Sequence, residues 1–131
     1  MSTTQLGTTS TAPSKALDVA LWIGQLALAW MFGMAGLMKL TSADRFPYPT
    51  ALTLFIGTAE VLGVVGVIVP ALTRIKPVLT PLAAAGFATI MVLAIGVHLS
   101  AGEPVVMNLV LLAVAVFVAW GRFRLAPIAG R

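Results

Sequence analysis

Residues 51–70 read ALTLFIGTAEVLGVVGVIVP, and this stretch decides the architecture. It holds a single charge, Glu60, in 20 positions. At about 1.5 Å of rise per residue, a helix of that length crosses a hydrocarbon layer of roughly 30 Å. Three further runs share the pattern. Residues 19–38 carry one strongly polar side chain, Gln25; residues 78–99 carry Thr80, Thr89 and His98; residues 105–121 carry only Asn108. The last run is short for a span until Glu103 and Pro104 are counted as its first turn. Backbone groups in lipid must find partners within the protein, which restricts spanning segments to helices and closed barrels. Barrel strands run to about 10 residues with alternating polarity, and that alternation is absent.

Composition leads to the same place. Of 131 residues, 60% are hydrophobic and 9% charged, against about 25% charged in ordinary soluble domains. Mean hydropathy is +1.04 for a 13.6 kDa chain, and about two-fifths of a soluble chain this small would still face water. A soluble monomer is excluded. Pro47 and Pro49 precede the second run and Pro70 is read as closing it. Pro77 and Pro81 bracket the start of the third, and Gly102 with Pro104 forms the hinge into the fourth. The connections are short, so successive helices are antiparallel neighbours. The expected fold is all-α: a multi-pass, four-transmembrane-helix antiparallel bundle over 15–124, with helices near 17–39, 51–70, 78–99 and 104–121.

The flanking segments differ. Eight of residues 1–14 are Ser or Thr, a composition with too little apolar surface to order itself, and the segment is read as a disordered tail. The apolar run after Lys15 continues well beyond a secretory signal core, so an uncleaved helix is expected, not a cleaved leader. Residues 125–131 form a C-terminal tail. Both tails and the 71–77 loop fall on one side with Lys15, Arg74, Lys76, Arg122, Arg124 and Arg131, whereas the other side has Lys39 and Arg45. The excess of basic residues places both termini in the cytoplasm and the bundle in the cytoplasmic membrane. The formal charge of +4 therefore belongs with anionic lipid headgroups and not with nucleic acid.

Several chemistries are ruled out directly. There are no cysteines and one histidine, which removes disulfides, thiol redox chemistry, iron–sulfur ligation and covalent haem attachment. No metal-ligand spacing, phosphate-cradling loop or nucleophile–base constellation is present. Met31, Met34 and Met38 read as a packing stripe.

The polar residues inside the spans carry what remains. Glu60 is nine positions after Ala51, about 14 Å along the helix and near the bilayer midplane. Intramembrane carboxylates are costly and face the bundle interior. Thr53, Gly57, Glu60 and Gly63 share that face, where small residues admit a neighbouring backbone. Gln25, Phe32 and Lys39 recur at sevens and form one stripe of the first helix. If the two helices begin level, a direct Lys39–Glu60 pair requires a bend or a later start to the second; otherwise a water bridges them. His98 lies near the end of the third run and Asn108 near the start of the fourth. Lys39, His98 and Asn108 thus come from three helices but one half of the membrane, with Glu60 beneath them: candidate ligand-binding residues of a single polar pocket open to the outer side. Glu60 is also the candidate proton-active group.

A family resemblance follows from these residues. The segment FGMAGLMKL over 32–40 is similar to the end of the first helix in DoxX-like membrane proteins. The segment IGTAEVLGVVG over 56–66, followed by Pro70, is similar to their second helix. Leu79 to Ala83, Met91, His98 and Arg122 complete the pattern. The resemblance implies a four-helix fold in the cytoplasmic membrane, a link to quinol and quinone-dependent oxidoreduction, and Lys39, Glu60 and His98 as the marked positions. Most members of the family have no assigned activity; this chain has no electron carrier of its own, so redox catalysis is expected to need a partner.

The preferred reading is a binding or accessory protein. A small amphipathic molecule, a non-covalent quinone or lipid, would occupy the outer pocket, and the chain would assist subunits of a membrane oxidoreductase or associate with its own copies. No metal or covalently bound cofactor is expected. The alternatives are a small proton-coupled transporter, in which Glu60 alternates between proton and cation, and a lipid-phase isomerase with Glu60 as general acid and His98 as paired base.

Overall fold

The computed structural model describes residues 14–130, and these are all-helical. Four helices span Lys15–Thr41 (α1), Thr50–Thr73 (α2), Leu79–Ser100 (α3) and Val106–Trp120 (α4). A short 3₁₀ turn, Ala43–Arg45, follows α1, and α4 continues as a π-helical turn through Leu125. Each of the four is long and apolar enough to cross a membrane, counting Val106–Leu125 as one. Sequential helices pack together and α4 closes the ring against α1. We call the end that carries Ser14 and Leu125 the inner end and the opposite one the outer end.

One stripe of α1 organises the interior. Leu21, Gln25, Leu28 and Phe32 are buried at three- and four-residue steps, the spacing that keeps side chains on one face of a helix. Phe32 reaches across the ring to stack on Phe87 of α3, with centroids 4.0 Å apart and planes within 9°. Around this pair lie Leu28, Val67, Ala84, Met91, Ala115 and Val118. Most of the other large apolar side chains are exposed, Trp30, Phe55 and Leu93 among them, while Ile68, Ile90 and Leu111 pack partly buried against the core. That inversion of the soluble pattern is what lipid as solvent requires. Met34 and Met38 are exposed as well, so the three methionines are not one packing stripe: α1 turns only Met31 toward the interior.

The helix limits depart from the sequence reading in three places. Pro70 does not close α2; it lies inside the last turn, and the helix runs on to Thr73 before Arg74 adopts left-handed backbone at φ 58°. A proline there forfeits one ladder bond but leaves the following residues free to stay helical. Glu103 and Pro104 are not the first turn of α4. Glu103 N–H donates to His98 O at 2.8 Å and Gly102 sits at φ 73°, so this segment finishes α3. The fourth span gains its length at the inner end instead, through Leu125. Ser14, assigned to the tail, is the N-cap of α1, its hydroxyl accepting from Leu17 N–H at 3.0 Å. The rest of that tail, 1–13, lies outside the described residues.

Candidate functional site

Two glycines set the register between α1 and α2. A Cβ on Gly57 would stand 2.8 Å from the Lys39 Cβ and 3.1 Å from the Gly36 carbonyl oxygen; one on Gly36 would stand 3.0 Å from the Gly57 oxygen. The backbones therefore touch here, with Gly57 level with Lys39. Thr50 is seven residues above that level and Thr41 only two, so α2 begins roughly 7 Å further out than α1 ends. Glu60, three residues beneath Gly57, is then about 4.5 Å below the root of the lysine.

The consequence is a direct ion pair, Lys39 Nζ to Glu60 Oε1 at 2.9 Å, with the two side chains 17% and 3% exposed. Neither a bend, a late helix start nor a bridging water is needed; the unequal heights of the helices supply the reach. The Lys39 ammonium also stands 5.4 Å from the centre of the Phe46 ring, which the loop after the 3₁₀ turn brings over it.

The pair sits on the wall of a cavity of about 680 Å³ in the outer half of the bundle. All four residues singled out from the sequence line it: Lys39 from α1, Glu60 from α2, His98 from α3 and Asn108 from α4. They do not form one hydrogen-bonded cluster. His98 Nδ1 pairs with Glu103 Oε1 at 2.7 Å, and the Asn108 amide donates weakly to Met91 Sδ at 3.7 Å. Most of the remaining lining is apolar. Phe32 and Met91 are, with Glu60, its most buried members, and Phe46, Pro47 and Tyr48 belong to its outer-loop side. Leu52, Phe55 and Leu93 line it too and are 45%, 71% and 66% exposed. The cavity thus reaches the flank of the bundle between α2 and α3, at hydrocarbon depth.

The contacts of α2 and α3 change along their length. Near the inner end they touch through small residues: a Cβ on Gly66 would meet Ala83 Cβ at 2.9 Å, and one on Gly63 would meet the Phe87 ring. Further out, Phe55, Ile56 and Ala59 of α2 and Ile90, Leu93 and Val97 of α3 line the cavity instead.

The sequence matches a known pattern at the level of family. A model of the DoxX-like family matches residues 23–118, well over half of the chain. The chain belongs to the DoxX-like family. Comparison with curated proteins and with solved structures returns no match. Its DoxX-like region holds Lys39, Glu60, His98 and Asn108, whereas Asp18 and Arg122 fall just outside it.

Those last two belong to a second polar cluster that the sequence reading missed. At the inner end, Arg122 Nε donates to Gln25 Oε1 at 2.8 Å, and its Nη1 donates to Asp18 Oδ1 at 2.7 Å and to the Ala126 carbonyl at 2.9 Å. Gln25 Nε2 in turn donates to Val67 O at 2.9 Å, tying α4 through α1 to α2. The indole of Trp22 lies 5.8 Å from the guanidinium. A signal was available: Asp18 extends the Gln25, Phe32, Lys39 series by one more interval of seven, and Arg122 follows the last apolar run. Counting Arg122 among the headgroup-facing bases hid it.

Proposed function

We propose that this DoxX-like multi-pass membrane protein is a binding protein whose outer cavity holds a lipid-phase amphiphile, a quinone in the first instance, for use by a membrane oxidoreductase. The observation that carries the reading is the Lys39–Glu60 pair: an ion pair placed on the wall of a cavity of about 680 Å³ that is otherwise mainly apolar. Binding sites for small molecules have this make-up, an apolar chamber with a few fixed polar groups. Glu60 holds the ammonium in place, and the ammonium has three N–H donors. A quinone carbonyl oxygen accepts from one of them. The ring packs against Phe46 and Met91, and the tail leaves through the opening between α2 and α3 into the acyl chains.

The same arrangement favours binding over the two other activities. A transporter needs a polar route between the two ends. Lys39 and Gln25 are 14 residues apart on α1, roughly 21 Å, and the layer between them holds Leu28, Phe32 and Phe87, each 2% exposed or less. An isomerase needs a base beside Glu60, and His98 is engaged by Glu103. With bases concentrated at the end that bears Lys15, Arg74, Lys76, Arg122 and Arg124, we assign both termini to the cytoplasm and the cavity to the outer leaflet of the cytoplasmic membrane.

The test is the quinone content of protein extracted in mild detergent, measured per mole of chain. Wild type should retain quinone above the level carried by an unrelated four-helix membrane protein prepared alongside. Glu60→Gln and Lys39→Gln should lose it while remaining folded. Equal quinone in all preparations would overturn the reading. Co-purification of a quinone-dependent dehydrogenase or oxidase with the wild type would extend it to the partner.

A further inference from the structure

A second cavity, of about 310 Å³, lies at the inner end, between the start of α3 and the C-terminal segment, and belongs to none of the chemistry above. Its size corresponds to roughly ten waters of liquid volume. Pro77 and Val78 form one wall, Pro127, Ile128 and Gly130 another, and Arg122 and Phe123 complete it. The C-terminal segment is held there: Ala126 is buried and takes a hydrogen bond from Arg122, and a Cβ on Gly130 would lie within 3.8 Å of Pro77 and of the Arg74 carbonyl oxygen.

Arg122 is the unusual member. Its side chain is 1% exposed, and three of its hydrogen bonds are accounted for by Gln25, Asp18 and Ala126. Its second terminal nitrogen, Nη2, is buried and has no partner among the described residues. A buried charged donor left unpaired is costly, and this nitrogen belongs to a residue that lines a cavity. The electrostatic setting is mainly basic. Lys15, Arg74, Lys76 and Arg124 are at the same end, and Asp18, already engaged by Nη1, is the acidic residue there among the described residues.

We propose that the inner cavity is an anion site, in which a phosphate group accepts hydrogen bonds from Arg122 Nη2. Guanidinium suits this better than ammonium, because its planar fork presents directed N–H groups to tetrahedral oxyanions. Asp18 and Gln25 fix the other edge of the guanidinium, so the group is oriented before the anion arrives. The phosphate belongs either to an anionic lipid headgroup of the inner leaflet or to a soluble phosphate; the chemistry at Arg122 is the same for both.

The experiment uses the full chain. Native mass spectrometry of protein released from phosphatidylcholine bilayers, with and without phosphatidylglycerol, reads lipid retention, and unfolding in a neutral detergent with inorganic phosphate at constant ionic strength reads soluble anion binding. A lipid source predicts retained phosphatidylglycerol and no response to phosphate; a soluble source predicts the reverse. Arg122→Lys keeps the charge and loses Nη2, and should weaken binding by roughly tenfold or more, the equivalent of one charge-assisted hydrogen bond. Should that variant fail to fold, Gly130→Trp fills the cavity from the tail while leaving the Arg122 partners Gln25, Asp18 and Ala126 in place, and should abolish binding with unchanged stability in the absence of anion. Lys15→Gln should leave binding nearly unchanged, since it alters only the general field. The proposal is overturned if wild type responds to neither probe, if Gly130→Trp binds like wild type, or if Lys15→Gln is as damaging as the site variants.

Discussion

At the outer end, Lys39 and Glu60 meet at 2.9 Å on the wall of a cavity of about 680 Å³. At the inner end, Arg122, Gln25 and Asp18 are joined at 2.7–2.8 Å with the arginine side chain almost fully enclosed. Both clusters stand on the same stripe of α1, and both bring a cation of one helix to an acid of another. They differ in what surrounds them. The inner cluster is tied to backbone carbonyls at Val67 and Ala126 and bridges three helices. The outer pair has the ring of Phe46 and open volume beside it. Charge enclosed by packing holds helices together; charge beside a void is available to a ligand.

That contrast can be broken in graded steps. Arg122→Leu should have the largest effect, about 2–5 kcal/mol of destabilisation, because it leaves two buried acceptors, Gln25 Oε1 and the Ala126 carbonyl, without their donor, while Asp18, 48% exposed, returns to water. Thermal unfolding in a fixed detergent would measure it, and a change no greater than at Lys39 would erase the distinction between the ends. Lys39→Met should cost less, about 1.5–3 kcal/mol for a lost charge-assisted bond, since the cavity can admit water beside Glu60. Its main effect should be loss of retained quinone. Gly57→Ala should destabilise by about 1–3 kcal/mol through overpacking against Gly36 and Lys39, and should lower quinone retention without altering either charge. Unchanged retention in that variant would show that helix register does not govern the site. Ser14→Ala should be mildest: about 1 kcal/mol from a lost N-cap, seen as faster amide exchange over the first turn of α1, with quinone retention untouched.

The sequence was most legible where physics acts along the chain. Four apolar runs gave four helices, since span number and helical form depend only on length and composition. Glu60 was legible as buried because a carboxylate that deep has few other places to go. The Lys39–Glu60 contact was not legible, because arithmetic from helix ends assumes that α1 and α2 start level. Pro70 was misread for a related reason: a proline forbids one hydrogen bond, and only the surrounding packing decides whether the helix stops. Arg122 was overlooked because an arginine after an apolar run has the same local sequence whether it snorkels to headgroups or turns inward.

What the sequence determined by itself, then, is the number of spans, their helical form, and which side chains are too polar to face lipid. These follow from the cost of exposing backbone and charge to hydrocarbon, which each segment meets alone. The tertiary structure decided the partners. The contact of Gly36 with Gly57 raised α2 against α1 and brought Lys39 to Glu60, and the inward turn of α4 brought Arg122 to Gln25 and Asp18. Axial offset and rotation are properties of two packed surfaces, and neither surface states them alone.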